Sequence, residues 1–309
     1  MSDAIAVAAC CDENYIAYAA VMMRSAVKAT PEAPIHFHLI NCGISGASLE
    51  RLSGMLEALG STLTTYSPDD RLYEGLPTHR YGSAVYQRIN LPEYIPADVG
   101  RIIYIDADTI VLQSLIALWN LDLEGNSTAA VENLSPKACK DIEVDRTEYF
   151  NSGLLVMDLA AWRERQLHRQ VTEYAREHAS SLQFVDQCSL NAVLQNDWVR
   201  LPLKWNVQSD VYKVVRKYHE GCTYSRSDMN DAMLHPAIVH FTGEKKPWKR
   251  YCFHPFKTYY RKVLNETPWA GQPLVGDDTA TRRRYFFALR SHWKFLKRRR
   301  HLPAHYQGK

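Results

Sequence analysis

Arg101-Ile102-Ile103-Tyr104-Ile105-Asp106-Ala107-Asp108-Thr109-Ile110-Val111-Leu112 runs four large apolar residues into two carboxylates and then into a second apolar run. Ile102–Ile105 has the unbroken apolar character of a strand buried on both faces. Strands of that kind belong to parallel sheets, whose ligands bind beyond the carboxyl ends of the strands. Asp106 and Asp108 stand at that end. At spacing i, i+2 on extended chain their side chains point to one side. They can therefore share one hard divalent cation, which would clamp a diphosphate. A bare D-x-D recurs by chance, and its place directly behind a buried strand is what gives it weight.

Outward from this run, the chain alternates strand and helix periods. Ala4–Cys10 reads as a buried strand and Tyr15–Ala29 as a helix ended by Pro31 and Pro34. Ile35–Ile40 reads as a second strand, Leu49–Leu59 as a helix closed by Gly60, and Leu63–Tyr66 as a third strand. Ser83–Asn90 is a short helix stopped before Pro92. Downstream, strands are expected at Thr128–Val131, Leu154–Met157 and Ile238–Phe241, with helices over Ala160–Glu177 and Gln187–Leu194. Residues 200–235 are Tyr-rich and show no assignable period, and there is no internal repeat. This rhythm predicts an α/β fold with a Rossmann-like, mostly parallel mixed sheet flanked by helices.

A chain of 309 residues, 46% hydrophobic and 23% charged, buries a real core without staples. No run of 18 apolar residues exists, and the short run Ile5–Ala9 follows Asp3 without a basic flank, so it does not read as a signal peptide. The seven scattered cysteines form no C-x-x-C pair, which fits free thiols in a reducing cytoplasm. The formal charge of +3 hides an asymmetry. Residues 279–309 hold ten Lys/Arg and no acid, which leaves 27 basic against 34 acidic residues before position 279, a net of −7. An acidic body is not a nucleic-acid binder, and no such partner is expected.

The residues just beyond each strand carry the remaining signals. Asp12, Asn14 and Tyr15 suit a pocket for a planar base, with Tyr15 as the stacking face. By residue preference alone they suit a capped helix start better. His240 precedes Phe241-Thr242-Gly243-Glu244-Lys245-Lys246-Pro247-Trp248. It reads either as a buried histidine before a polar turn or as a third metal ligand, since imidazole with carboxylates suits manganese. Gly243 can let backbone approach a phosphate, and Lys246 can neutralise it. Asn151, in Tyr149-Phe150-Asn151-Ser152-Gly153, reads as a turn former, and Asp186, in Phe184-Val185-Asp186-Gln187, as an N-cap. Neither bland role needs the two segments together. Gly-rich phosphate loops are absent, so a nucleotide here must be held through metal and basic side chains.

In order, these segments are D-x-N-Y, Y-Q-R-I-N-L-P, Y-I-D-A-D-T-I-V, Y-F-N-S-G, D-Q and H-F-T-G-x-x-K-P-W. Over residues 4 to 255 this resembles the retaining family 8 glycosyltransferases, and among them the bacterial lipopolysaccharide and lipooligosaccharide galactosyl- and glucosyltransferases. The resemblance implies a GT-A fold and a metal-dependent hexosyltransferase using UDP-galactose or UDP-glucose with Mn²⁺ or Mg²⁺. It implies metal ligation by Asp106, Asp108 and His240, and donor binding by Asp12, Asn14, Tyr15, Ala107, Gly243 and Lys246. Arg88, Asn151, Asp186 and Gln187 would surround the transferred sugar. Glu132 would sit where acceptor-facing acids occur. Cys10, Cys11 and Cys188 depart from the family pattern. Competing readings are a glycogenin- or galactinol-synthase-like transferase acting on a protein or polyol, and a non-enzymatic sugar-nucleotide-binding protein at the membrane.

The organisation expected is a GT-A catalytic domain over 1–264, a linker over 265–281 and a basic aromatic tail over 282–309. In that tail Tyr285, Leu289, Trp293 and Leu296 fall on one helical face among arginines and lysines, the pattern of an interfacial helix. A glycolipid or oligosaccharide acceptor fits such a tail. The expected location is the inner face of the cytoplasmic membrane, held peripherally to anionic lipid.

Overall fold

The computed structural model describes residues 4–78, 83–135, 139, 142–213, 221–244, 246–276, 302, 303 and 306. The strands are β1 (Ile5–Cys11), β2 (Ile35–Asn41), β3 (Thr62–Tyr66), β4 (Arg101–Ile105), β5 (Thr109–Val111), β6 (Thr128–Glu132), β7 (Phe150–Asp158), β8 (Trp198–Arg200), β9 (Val207–Gln208) and β10 (Ile238–His240). Seven form one mixed sheet in the order β3-β2-β1-β4-β7-β6-β8. Four of its six pairings are parallel, and β7 runs antiparallel to both its neighbours. This is the α/β architecture, with a mostly parallel sheet, that the strand and helix rhythm predicts.

Each strand of the sheet feeds two cores, because successive side chains point to opposite faces. Val7 and Ala9 enter one apolar cluster with the helix Ile16–Ala29, while Ala6, Ala8 and Cys10 enter the other. The second cluster packs against the segments 83–94 and 159–194. A smaller sheet, β5-β10-β9, lies beyond the carboxyl end of β4. Its register places His240 opposite Thr109, one residue past Asp108, and beside Gln208.

Three local expectations are corrected, and one unassigned stretch gains structure. Ser83–Asn90 is a 3-10 helix, and Pro92 opens the next short helix, Leu91–Tyr94, rather than ending the first. Proline suits a first helical turn because it lacks only an N–H with no intrahelical partner. The helix expected over Ala160–Glu177 is two helices, Leu159–Glu164 and Leu167–Glu177, broken at Gln166 with φ +52°. The strand at 154–157 begins earlier, at Phe150, so Asn151-Ser152-Gly153 lies inside it. Among its described residues, the unassigned region 200–235 holds the end of β8, the strand β9 and the helices Ser209–Lys213 and Arg226–Leu234, the latter opened by a Ser225/Asp228 capping box.

Residues 265–276 rest on the body of the domain. Glu266 pairs with Arg24 at 3.1 Å and with Lys28 at 2.5 Å, and the Arg51 guanidinium lies 4.7 Å over the Trp269 ring. The helix expected within 282–309 lies outside the described residues, apart from three positions near its end. Of these, Leu302 is buried against the core and the Tyr306 ring sits 5.3 Å from Phe256. Among the described residues no helix is long and apolar enough to cross a membrane.

Candidate active site

A cleft of about 1300 Å³ opens beyond the carboxyl ends of β1, β4 and β10. Its walls include Asp12, Tyr15, Arg88, Asp106, Ala107, Asp108, Asn151, Asp186, Gln187, His240, Gly243 and Lys246. Of the residues expected to bind metal, donor or transferred sugar, Asn14 alone is not part of that wall. Its backbone and side-chain nitrogens donate instead to the Asp12 carboxylate at 3.0 and 3.2 Å, and Tyr15 N donates to it at 3.1 Å. Asp12 thus closes a turn ahead of the helix, whose N-cap, Tyr15, makes no side-chain capping hydrogen bond, and Asp12 and Tyr15 still face the cleft. Tyr15, 39% exposed, meets Trp248 edge-on at 5.9 Å, and Trp248 in turn stacks on Tyr18 at 3.6 Å.

Asp106, Asp108 and His240 offer ligand atoms that all lie within 4.8 Å of one another. His240 Nε2 is 3.1 Å from Asp108 Oδ1 and 3.7 Å from Asp106 Oδ2. Two carboxylates and an imidazole on one centre are the donor set of a Mn²⁺ or Mg²⁺ site. Gly153 makes room for them. A Cβ there would collide with His240 Cε1 and lie 2.7 Å from Nδ1 and 2.8 Å from Asp106 Oδ2. The residues therefore fit a divalent cation.

The β7 backbone reaches this position through an irregular register. Ala130 pairs with Leu155 but Val131 pairs with Asn151, so Ser152, Gly153 and Leu154 bulge from the ladder with β6. Bulges re-aim side chains beside sites. Here the bulge keeps Gly153 O within 2.9 Å of Asp106 N and turns Asn151 and Ser152 toward the cleft.

Arg88 bridges the two halves of the site. It lies 3.0 Å from Asp106 Oδ1 and 3.1 Å from Asp186 Oδ2, donates to Ser152 O at 2.8 Å, and stacks 4.6 Å over the Tyr104 ring. Burial works against its charge, but Asp106 and Asp186 hold its pKa above the usual value. Tyr104, whose hydroxyl burial pushes far up, donates to Asp106 at 2.7 Å. Lys246 pairs with Asp108 and donates to Phe241 O at 2.8 Å. Burial opposes ionisation of Asp108, yet Lys246 and then His240 hold its carboxyl below the usual range. Gly243, at φ +76°, turns the chain from His240 back to Lys246.

Asp186 is different. Burial lifts its carboxyl to about 6, with Arg88 opposing and Asp106 adding to the rise. Folding stability therefore falls as pH rises from the ordinary carboxyl range through about 6, the window in which the folded protein keeps a proton the unfolded chain has lost. Val185, just before it, is β-branched and held at φ +38°. Such backbone costs about 1–2 kcal/mol and persists where surrounding structure imposes it. Here it starts the helix Val185–Val193 with Asp186 and Gln187 directed into the cleft.

Glu132 does not face an acceptor. It is fully buried, 3.3 Å from Arg146 and 3.0 Å from Arg200, and accepts from Thr223 Oγ1 at 2.6 Å. Two arginines satisfy a carboxylate that burial would otherwise penalise, so the network is structural. Conversely, the sequence carries no visible mark on Asn206, which lies in the stretch without a period yet bonds to His240 at 3.0 Å.

The chain matches the family described as Glycosyl transferase family 8 over residues 6–252. It is 30% identical over 278 residues to General stress protein A of Bacillus subtilis, covering 87% of this chain and 96% of that one. It is 26% identical over 271 residues to a lipopolysaccharide 1,2-glucosyltransferase of Escherichia coli, covering 85% and 78%. Among solved structures, the galactosyltransferase LgtC in complex with donor and acceptor sugar analogs superposes with a TM-score of 0.77 at 26% identity, covering 85% of this chain and 96% of that one.

The close passage at Gly153 makes a specific prediction. Gly153→Ala displaces His240 while leaving the sheet intact, so far-UV circular dichroism stays as in wild type and metal-dependent turnover falls at least ~100-fold, the cost of misplacing a ligand. Wild-type turnover in a folded Gly153→Ala protein would contradict this geometry.

Proposed function

The chain belongs to glycosyl transferase family 8, and from that membership we propose that it moves galactose or glucose from a UDP-sugar to a saccharide of the lipopolysaccharide or lipooligosaccharide core, with retention. The observation that carries this reading is the convergence of Asp106, Asp108 and His240 beside Lys246 and Arg88 in one cleft. The glucosyltransferase and galactosyltransferase relatives support the hexose and the acceptor class. In this reading Asp106, Asp108 and His240 hold Mn²⁺ or Mg²⁺, which supplies electrostatic stabilisation of a departing diphosphate.

The residues of the chain divide the remaining work. Asp12 and Tyr15 hold the uridine, with Tyr15 as its stacking face. Lys246 turns from Asp108 to the diphosphate, and Gly243 and the Ala107 backbone leave room for it. Breaking the anomeric C–O bond puts positive charge on the sugar, which ionised Asp186 favours while orienting hydroxyls with Arg88 and Asn151. Gln187 is a poor nucleophile. Its Oε1 already accepts from Asn151 Nδ2 at 3.0 Å and Ser152 N at 3.2 Å. The acceptor oxygen therefore bonds to the anomeric carbon from the face the phosphate leaves, and the departing phosphate oxygen takes the acceptor's proton. The basic tail, at ~1 kcal/mol per Lys or Arg near anionic lipid, places the enzyme peripherally at the inner face of the cytoplasmic membrane.

Three measurements test this. UDP release from UDP-galactose or UDP-glucose is expected with Mn²⁺, absent with EDTA and reduced at least ~100-fold in Asp108→Asn. Release from neither donor by the folded wild type would sink the donor assignment. Intact-mass spectrometry after donor incubation is expected to show no glycosyl adduct, and an adduct on Gln187 or Asp186 would replace same-face attack with double displacement. For the tail, replacing Arg282, Arg283, Arg284, Arg298, Arg299 and Arg300 with Gln keeps Leu302 and Tyr306. It should abolish sedimentation with phosphatidylglycerol vesicles, and persistent sedimentation would refute the lipid role.

A further inference from the structure

A line of five buried side chains runs from the histidine of the ligand cluster to Tyr149, behind Gln187. His240, Asn206, Asn151, Gln187 and Tyr149 are each at most 8% exposed. Successive contacts are His240 Nδ1 to Asn206 Oδ1 at 3.0 Å, Asn206 Nδ2 to Asn151 Oδ1 at 2.8 Å, Asn151 Nδ2 to Gln187 Oε1 at 3.0 Å and Gln187 Nε2 to Tyr149 Oη at 3.2 Å.

Backbone groups fix which way every amide points. Gly153 N donates to Asn151 at 3.1 Å and Ser152 N donates to Gln187 at 3.2 Å. A backbone N–H only donates, so the atoms it meets are the carbonyl oxygens of those two amides. The atom of Asn206 that faces the Asn151 oxygen must then be its nitrogen. The Asn206 oxygen is left facing His240 Nδ1. A carbonyl oxygen only accepts, so Nδ1 carries a proton and Nε2 is the nitrogen left for the cluster with Asp106 and Asp108.

We infer that Asn206 is a positioning residue that fixes the protonated nitrogen and the ring orientation of His240 for cation binding, and that couples this ligand to Asn151 and Gln187 in the sugar site. The inference rests on the proposed cation site. Partners that fix a ligating histidine are typically worth ~10–100-fold in metal affinity. An Asn206→Leu side chain fills the space but neither accepts from Nδ1 nor donates to Asn151. An Asn206→Asp side chain still accepts from Nδ1 and fails only toward Asn151.

Two readouts on the full chain test it. Long-range ¹H–¹⁵N correlation of the wild type is expected to show His240 Nδ1 protonated, and an unprotonated Nδ1 overturns the inference whatever the variants do. Mn²⁺ binding followed by electron paramagnetic resonance is expected to weaken ~10–100-fold in Asn206→Leu. In Asn206→Asp it should stay within about threefold of wild type while kcat for UDP release falls, because the link to the sugar site alone is cut. Wild-type Mn²⁺ affinity in folded Asn206→Leu overturns the inference by itself. If Asn206→Leu does not fold, Asn206→Asp decides, since a loss of Mn²⁺ affinity there contradicts it equally. Failure of the wild type to bind Mn²⁺ overturns the cation site and this inference together.

Discussion

The site depends on one close passage, where the backbone of β7 at Gly153 lies against His240 and Asp106 with no space for a side chain between them. Three elements distant in sequence meet there: the carboxyl end of β4, the bulge in β7 and the end of β10. The strands β4, β7 and β10 are held in backbone ladders, and Asp106 and Asp108 stand on the short turn that joins β4 to β5. The antiparallel pairing of β5 with β10 fixes His240 opposite Thr109 and so within reach of both carboxylates. A rigid ladder is a sound way to place ligands, because positions on strands hold tighter tolerances than positions on loops.

Charge balance is set by that convergence. Asp106, Asp108 and Asp186 share one cleft, and three carboxylates so close are costly without cations. Arg88 and Lys246 answer part of this demand by pairing with all three acids. The imbalance appears in the raised carboxyl of Asp186, the acid that burial dominates. A bound divalent cation and an anionic donor would enter a site already arranged for both, which is the sense in which active sites are preorganised.

Much of this is legible in the amino-acid sequence alone. The run Ile102–Ile105 announces a buried strand, and Asp106 and Asp108 behind it land where a sheet presents its ligands. The wall of the cleft gathers nearly every residue the ordered segments single out. What stays hidden has physical reasons. Asn151-Ser152-Gly153 looks like a turn by composition, yet it is strand, because its polar groups bond within a buried network that propensity does not register. Pro92 and Gln166 mislead because helix boundaries turn on one or two backbone angles. Glu132 resembles an exposed functional acid, and only the fold brings Arg146, Arg200 and Thr223 around it. Asn206 carries no period and no motif, so its contact with His240 is purely tertiary.

In the proposed function, Asp106, Asp108 and His240 hold the cation on which the donor diphosphate is clamped. The most direct measurement is the electron paramagnetic resonance spectrum of protein-bound Mn²⁺ with UDP whose β-phosphate carries ¹⁷O. Line broadening relative to unlabelled UDP is expected in the wild type and is expected to be lost in His240→Ala. Tight UDP binding with no broadening in the wild type would contradict it, because the diphosphate would then be held away from these ligands.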